Sequence, residues 1–171
     1  MKRTGYAAAM LVLLAGCVAV VPVTITTTHT VQPQPQRVAM RYAPAGSVSA
    51  RVGAILNEER TKRGLQPVSH NATMDELATA HARDMHRNDF FGHEGTNGRS
   101  SFQRLKSSGY GPCIAAENIA RGQRTPEHVM QSWMESDGHR ENNLRAEVSE
   151  YGVGYETAGH NWVLMLAAPG C

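Results

Sequence analysis

Three side chains able to move protons or bind a metal stand at breaks between apolar stretches: His93, Glu117 and His139. His93 follows Phe90-Phe91 and sits between Gly92 and Gly95, which let the backbone turn sharply. Glu117 lies in the apolar run Ile114-Ala115-Ala116-Glu117-Asn118-Ile119-Ala120. A carboxylate there faces a polar cleft or pairs with a cation, because burying a lone charge is costly; Arg121 is the nearby cation. His139 comes directly after Asp137-Gly138, which is expected to break the preceding helix and leave the ring on a loop. The alternative for His139 is a cation favoured near a helix C-terminus. Two imidazoles and a carboxylate can bind a divalent ion with an open position, or act as an acid–base pair without metal. No Gly-x-Ser-x-Gly nucleophile motif is present.

The elements that must position these groups are helices followed by strands. Val52, Ile55 and Leu56 give one apolar helical face, and Gly64 suits the position just past the helix end. Met74, Leu77, Ala78, His81, Ala82 and Met85 line one face of a second helix, with Thr73 to Glu76 as its expected capping box. His81 and His86 are five apart, lack the spacing that puts two ligands on one helix side, and read as structural. Ser100 and Gln103 can cap a short helix packed by Phe102 and Leu105. Thr125-Pro126-Glu127 opens another, with Val129, Met130, Trp133 and Met134 buried. Tyr151, Val153 and Tyr155 alternate with polar or small residues, and Asn161 to Ala167 is apolar on both sides. That pattern predicts a terminal hairpin whose second strand is covered on both faces. Helices first and a hairpin last give an α+β fold, in three layers.

The chain has 171 residues, 41% of them hydrophobic, and a net charge of +2. Without Lys2 and Arg3 its 17 basic side chains become 15 against 15 acidic ones. A neutral domain gives no electrostatic case for nucleic acid. Residues 1–16 read as a signal peptide: Lys2-Arg3, then the apolar run Tyr6–Leu14, too short to span a bilayer. Leu14-Ala15-Gly16-Cys17 resembles the lipobox of bacterial lipoproteins, which makes Cys17 the expected lipidation site and the membrane a partner through acyl chains. An ordinary signal peptide with a chance cysteine is the alternative. Residues 17–48, rich in Pro, Thr and Gln, read as a disordered tether, and the domain is expected at 49–171. Cys113 and Cys171 remain as an even pair in an oxidising compartment, expected to form one disulfide. Val18 after Cys17 is not a retention aspartate, so the outer membrane facing the periplasm is the expected site where a cell has two membranes.

From Val52 onward the chain resembles the CAP superfamily of cysteine-rich secretory proteins, antigen 5 and pathogenesis-related proteins, in its bacterial SCP-like branch. The residues that carry the resemblance are Leu56-Asn57-x-x-Arg60 with Gly64-Leu65, Phe91-Gly-His93, Ala116-Glu117-Asn118-Ile119-Ala120, Trp133-Met-x-Ser136-x-Gly138-His139-Arg140-x-Asn142, and Tyr151-Gly152-Val153-Gly154. The resemblance implies an α-β-α sandwich with a solvent-filled cleft carrying two histidines and two acids, zinc being bound by the histidines in several members. His93 and His139 then match the metal-binding histidines and Glu117 one acid, the residue that would be catalytic. Ser136, Asn118 and Asn142 would line the cleft. Ser136 stands near the second acid's usual place, and Glu135 is displaced by one residue, about 100° of helix rotation. The expected function is a lipid-anchored extracytoplasmic module whose cleft binds a divalent metal, zinc among them, or a small or lipid ligand without turnover. The alternative is a zinc-dependent hydrolase of the cell envelope.

Overall fold

A computed structural model describes residues 46–170, which form five helices and four strands in the order α1 (Val48–Thr61), β1 (Ser69–His70), α2 (Ala72–Arg87), α3 (Ser101–Ser107), β2 (Pro112–Arg121), α4 (Pro126–Glu135), α5 (Asp137–Asn143), β3 (Glu150–Glu156) and β4 (Asn161–Pro169). The sheet order is β1-β3-β4-β2, with β1 parallel to β3 and the other pairs antiparallel. β4 lies between β3 and β2 and is buried from Asn161 to Ala167, the doubly covered strand its composition predicts. The two-residue β1 leaves no periodic signal and was not foreseen. The signal peptide, Cys17, nearly all of the tether and Cys171 lie outside the described residues. Ser47, at the tether's expected end, caps α1, which starts one residue before the expected boundary.

Two clusters of buried side chains flank the sheet. On one side Val52 and Leu56 of α1 and Met130 and Trp133 of α4 meet Ala116, Ala120, Leu164 and Leu166. On the other, Met74, Ala78, Ala82 and Met85 of α2 and Leu105 of α3 meet Ile119, Val163 and Met165. Alternate residues of one strand serve opposite layers, as the pleat requires. α2 sits unusually close to β3 because Gly152 and Gly154 lack side chains. A Cβ on Gly152 would lie 2.3 Å from Met74 Cβ, and one on Gly154 2.2 Å from the backbone of Ala78 and Thr79. Residues two apart on a strand thus meet residues four apart on a helix, each pair sharing one face.

Polar groups fix the layers in place. Arg60 is fully buried, and its guanidinium donates to the carbonyls of Gln66, Asn143 and Arg145, which ties α1 to the loop after α5. Asp75 accepts from Ser49 of α1 at 2.8 Å and from the amide of Val153 at 2.7 Å, and lies 2.7 Å from His70 Nε2. Two local expectations change. α2 is capped by Asn71, whose side chain accepts from the amide of Met74, so Thr73 is inside the helix. Phe102 is exposed, and Leu105 alone packs α3 into the core. The Phe91 ring lies under the Arg121 guanidinium, 5.2 Å from its carbon. The Ser100–Gln103 capping box and the Thr125 cap with Pro126 form as the sequence predicts.

Candidate functional site

β2 is at one edge of the sheet, and its residues 117 and 118 point to opposite faces. On the face toward α3, the Glu117 side chain is 2% exposed. Its Oε1 lies 2.9 Å from His93 Nδ1, and its Oε2 accepts from Arg104 Nη2. A carboxylate oxygen accepts, so His93 donates from Nδ1 and presents the Nε2 lone pair outward. Arg104 also donates from Nη1 to the carbonyls of His93, at 2.9 Å, and Arg99, at 2.8 Å, so it anchors both the carboxylate and the loop that carries the ring. Arg104 comes from a seven-residue helix thirteen positions before Glu117, and the sequence reading missed it. Arg121, the expected cation, is held elsewhere, by the Asn161 side chain and the carbonyl of Phe90.

On the opposite face, Asn118 is fully buried and fixes α5. Its Nδ2 donates to the carbonyl of His139 at 3.0 Å and to Asn143 Oδ1 at 2.8 Å, and its Oδ1 accepts from Asn142 Nδ2 at 2.9 Å. Asn142 Nδ2 also reaches the Glu117 carbonyl at 3.3 Å. The Asn118 side chain is therefore spent inside the fold, and Asn142 spends its amide on β2. Adjacent residues of one edge strand thus divide the work: Glu117 places His93 from one layer and Asn118 places His139 from the other.

His139 is not on a loop. The chain breaks at Ser136, which has extended backbone, and α5 begins at Asp137 with His139 in its first turn. Ser136 is half-buried at that junction, between the exposed acids Glu135 and Asp137. Glu135 is exposed on α4 and accepts from Gln131 Nε2 at 2.8 Å. The four-member set of two histidines and two acids is therefore a three-member set here, and its one acid is already engaged.

The two rings differ in proton affinity. The hydrogen bond to Glu117 raises the pKa of His93 above the ordinary histidine value, against the opposing effect of partial burial. Burial lowers that of His139, and the positive charge of protonated His93 lowers it further. A pH titration followed by ring NMR is expected to show His93 protonating above, and His139 below, the unperturbed value of about 6.5. The signs for stability are opposite. The His93 contribution is full below its unfolded pKa and is lost as pH rises through the raised folded value. The His139 contribution is full above its unfolded pKa and is lost as pH falls through the lowered folded value. Coincident titration of the two rings would contradict these opposite shifts.

Zinc centres take three or four protein ligands. Among the described residues no group of three or more His, Cys, Asp and Glu side chains is placed to hold a metal ion. With both Glu117 oxygens occupied, the donor set is two imidazoles. It fits an ion whose other positions are filled by solvent or ligand atoms and does not fit a closed structural site. His81, by contrast, is structural as expected: it is 2% exposed and its Nε2 lies 2.9 Å from the Gly92 carbonyl oxygen.

The cysteine-rich secretory protein family model matches residues 54–167. An uncharacterised Bacillus subtilis protein, YkwD, is 41% identical over 119 residues, which cover 68% of this chain and 46% of that protein. A second B. subtilis protein, the uncharacterised membrane protein YlbC, is 29% identical over 102 residues, 60% of this chain and 30% of that one. The chain thus spans less than half the length of these curated relatives. Among solved structures, an extracellular SCP-domain protein of Bacillus anthracis aligns with a TM-score of 0.66 at 24% identity, over 70% of this chain and 40% of that one. An outer surface protein of Borrelia burgdorferi aligns with a TM-score of 0.65 at 19% identity, over 70% and 90%. These likenesses show the same α+β sandwich.

Proposed function

This chain belongs to the cysteine-rich secretory protein (CAP) family, and from that premise we propose that it is an exported, lipid-anchored binding module whose His93–His139 cleft holds a divalent ion such as zinc, or a small ligand, without turning it over. The observation that carries this reading is the double engagement of Glu117 by Arg104 and His93. A general base must reach the proton it removes, directly or through one water. Glu117 is buried, and each of its oxygens already has a donor. What it does suit is orientation: a carboxylate behind a metal-facing imidazole fixes the tautomer and raises the basicity of the outer nitrogen. The hydrolase alternative therefore loses Glu117 as its proton carrier, while the binding reading uses Glu117 where it stands.

Two further parts of the proposal rest on the chain ends. Acylation at Cys17 would tether the domain to the membrane, facing the periplasm at the outer membrane where a cell has two. No helix among the described residues is long and apolar enough to cross a bilayer. A Cys113–Cys171 bridge is supported by strand register: Pro112 is opposite Pro169, and Gly170 N donates to the Gly111 carbonyl at 3.3 Å, so the residue before Cys171 lies at the start of the strand that carries Cys113.

The test is thermal melting with added zinc. A ligand that binds only the folded state raises its melting temperature by mass action. A rise is expected for the wild type and is lost in both His93→Ala and His139→Ala. With two imidazoles, affinity falls short of the roughly 10–16 kcal/mol of structural zinc sites. A rise that survives in either variant would place the ion elsewhere and refute the shared site.

A further inference from the structure

A groove of about 460 Å³ runs between α1 and α4, and none of its lining residues belongs to the His93–His139 site. Its apolar floor is Ile55, Met130 and Met134. Met130 is buried, while Ile55 and Met134 are half-buried, so two large apolar side chains stay partly open. The Arg51–Glu127 ion pair, at 2.5 Å, joins the first turns of the two helices. The rest of the charged rim is acidic: Glu58 and Glu59 from α1 and Glu135 from α4. Lys62 and Arg63 pair with Glu58 and Glu59 from outside the groove, and exposed pairs of this kind are weak. Glu135 has only the uncharged Gln131 as a partner among the described residues. Such a rim repels an anionic amphiphile and suits a segment that combines apolar side chains with a cation.

We infer that the occupant of this groove is the chain's own segment Val38-Ala39-Met40-Arg41-Tyr42, which directly precedes the described residues. Its composition is the first argument. It has three large apolar side chains and one cation, and none of the Thr and Gln that recur before it. A purely solvated tether needs no such run. Laid out as an extended strand, Val38, Met40 and Tyr42 share one side and can meet the Ile55, Met130 and Met134 floor. Reach is the second argument. Glu58 lies ten residues past Val48, about 15 Å along α1. Arg41 lies five residues before Gly46, about 17 Å of extended chain. Gly46, at φ +79°, supplies the turn that folds the segment back along the helix. Arg41 thus arrives level with Glu58, at the acidic part of the rim that also carries Glu135. Docked in this way, the segment shortens the free tether and fixes how the domain hangs from it, with or without a metal in the cleft.

The test is NMR of the full chain with labelled methionine methyls. Through-space contacts are expected between the Tyr42 ring and the methyls of Met130 and Met134, at a strength independent of protein concentration. Arg41→Glu and Glu135→Arg are each expected to lose them. Glu135 is exposed, so its substitution leaves the core packing alone, and Arg41→Glu carries the test if Glu135→Arg misfolds. Tyr42 shifts equal to those of the free Val38–Tyr42 peptide would overturn the inference. So would a free Tyr42 with both methyls moved by added palmitate, which would make an acyl chain the occupant. Contacts that grow with protein concentration would make a second copy the occupant and equally overturn it, as would contacts unchanged in both charge variants.

Discussion

Glu117→Ala is expected to destabilise the fold by about 3–5 kcal/mol, because it strands a buried guanidinium without its counter-ion. The Arg104 side chain is only 9% exposed, so water cannot replace the lost carboxylate. The same guanidinium holds the His93 carbonyl, and the loop is expected to loosen with it. Glu117→Gln separates the charge from the hydrogen bonds. Arg104 can only donate, so the Gln oxygen must face it and the Gln amino group must face His93 Nδ1. The ring then changes tautomer: Nδ1 becomes the acceptor, and the proton moves to the outward nitrogen. The fold is expected to lose less than in Glu117→Ala, because Arg104 keeps a hydrogen-bond acceptor though not its counter-ion, while zinc affinity falls about 10–100-fold. Equal stability of Glu117→Ala and wild type would show that the Arg104–Glu117–His93 chain does not hold the site.

Gly154→Ala is expected to cost about 3 kcal/mol or more, at or beyond the upper end of the usual 1–3 kcal/mol for over-packing. The new methyl would lie 2.2 Å from the backbone of Ala78 and Thr79, and no rotamer change can relieve a clash between two backbones. α2 must move off the sheet, and the buried row of Met74, Ala78, Ala82 and Met85 loosens with it. At about 3–5 °C per kcal/mol for a domain of this size, the melting temperature should fall by about 10 °C or more. Gly138→Ala is the control, since nothing lies within 4 Å of its Cβ position. Similar melting of the two variants would contradict the close approach of α2 to β3.

Much of this architecture can be read from the residues. The apolar stripe of α2, the cap and proline of α4, and the contrast between an alternating strand and a doubly apolar one are local patterns, and each formed where expected. The misses are of two kinds. Boundaries shifted where two residues competed for one role: Asn71 caps α2 in place of Thr73, and the break before α5 falls at Ser136, so Asp137-Gly138 starts a helix where a loop was expected. Partners were missed where the contact is non-local. Arg121 is four residues from Glu117 on the same strand, a rise of roughly 13 Å, too far for an ion pair. That distance argument excludes Arg121 from sequence alone, yet nothing local points to Arg104. Arg60 and Asn118 stood among the residues of the family resemblance, but their task is to bond carbonyls and amides of distant loops, which only the folded chain assembles.

The central claim is that His93 and His139 face one cleft and that Glu117 aims the first of them from below. The most direct measurement follows the ring nitrogens of both histidines by NMR as zinc is added. The account predicts that His93 Nε2 and one ring nitrogen of His139 shift along the same saturation curve, while His93 Nδ1 stays protonated against Glu117. A response from only one ring, or zinc binding through His93 Nδ1, would contradict it.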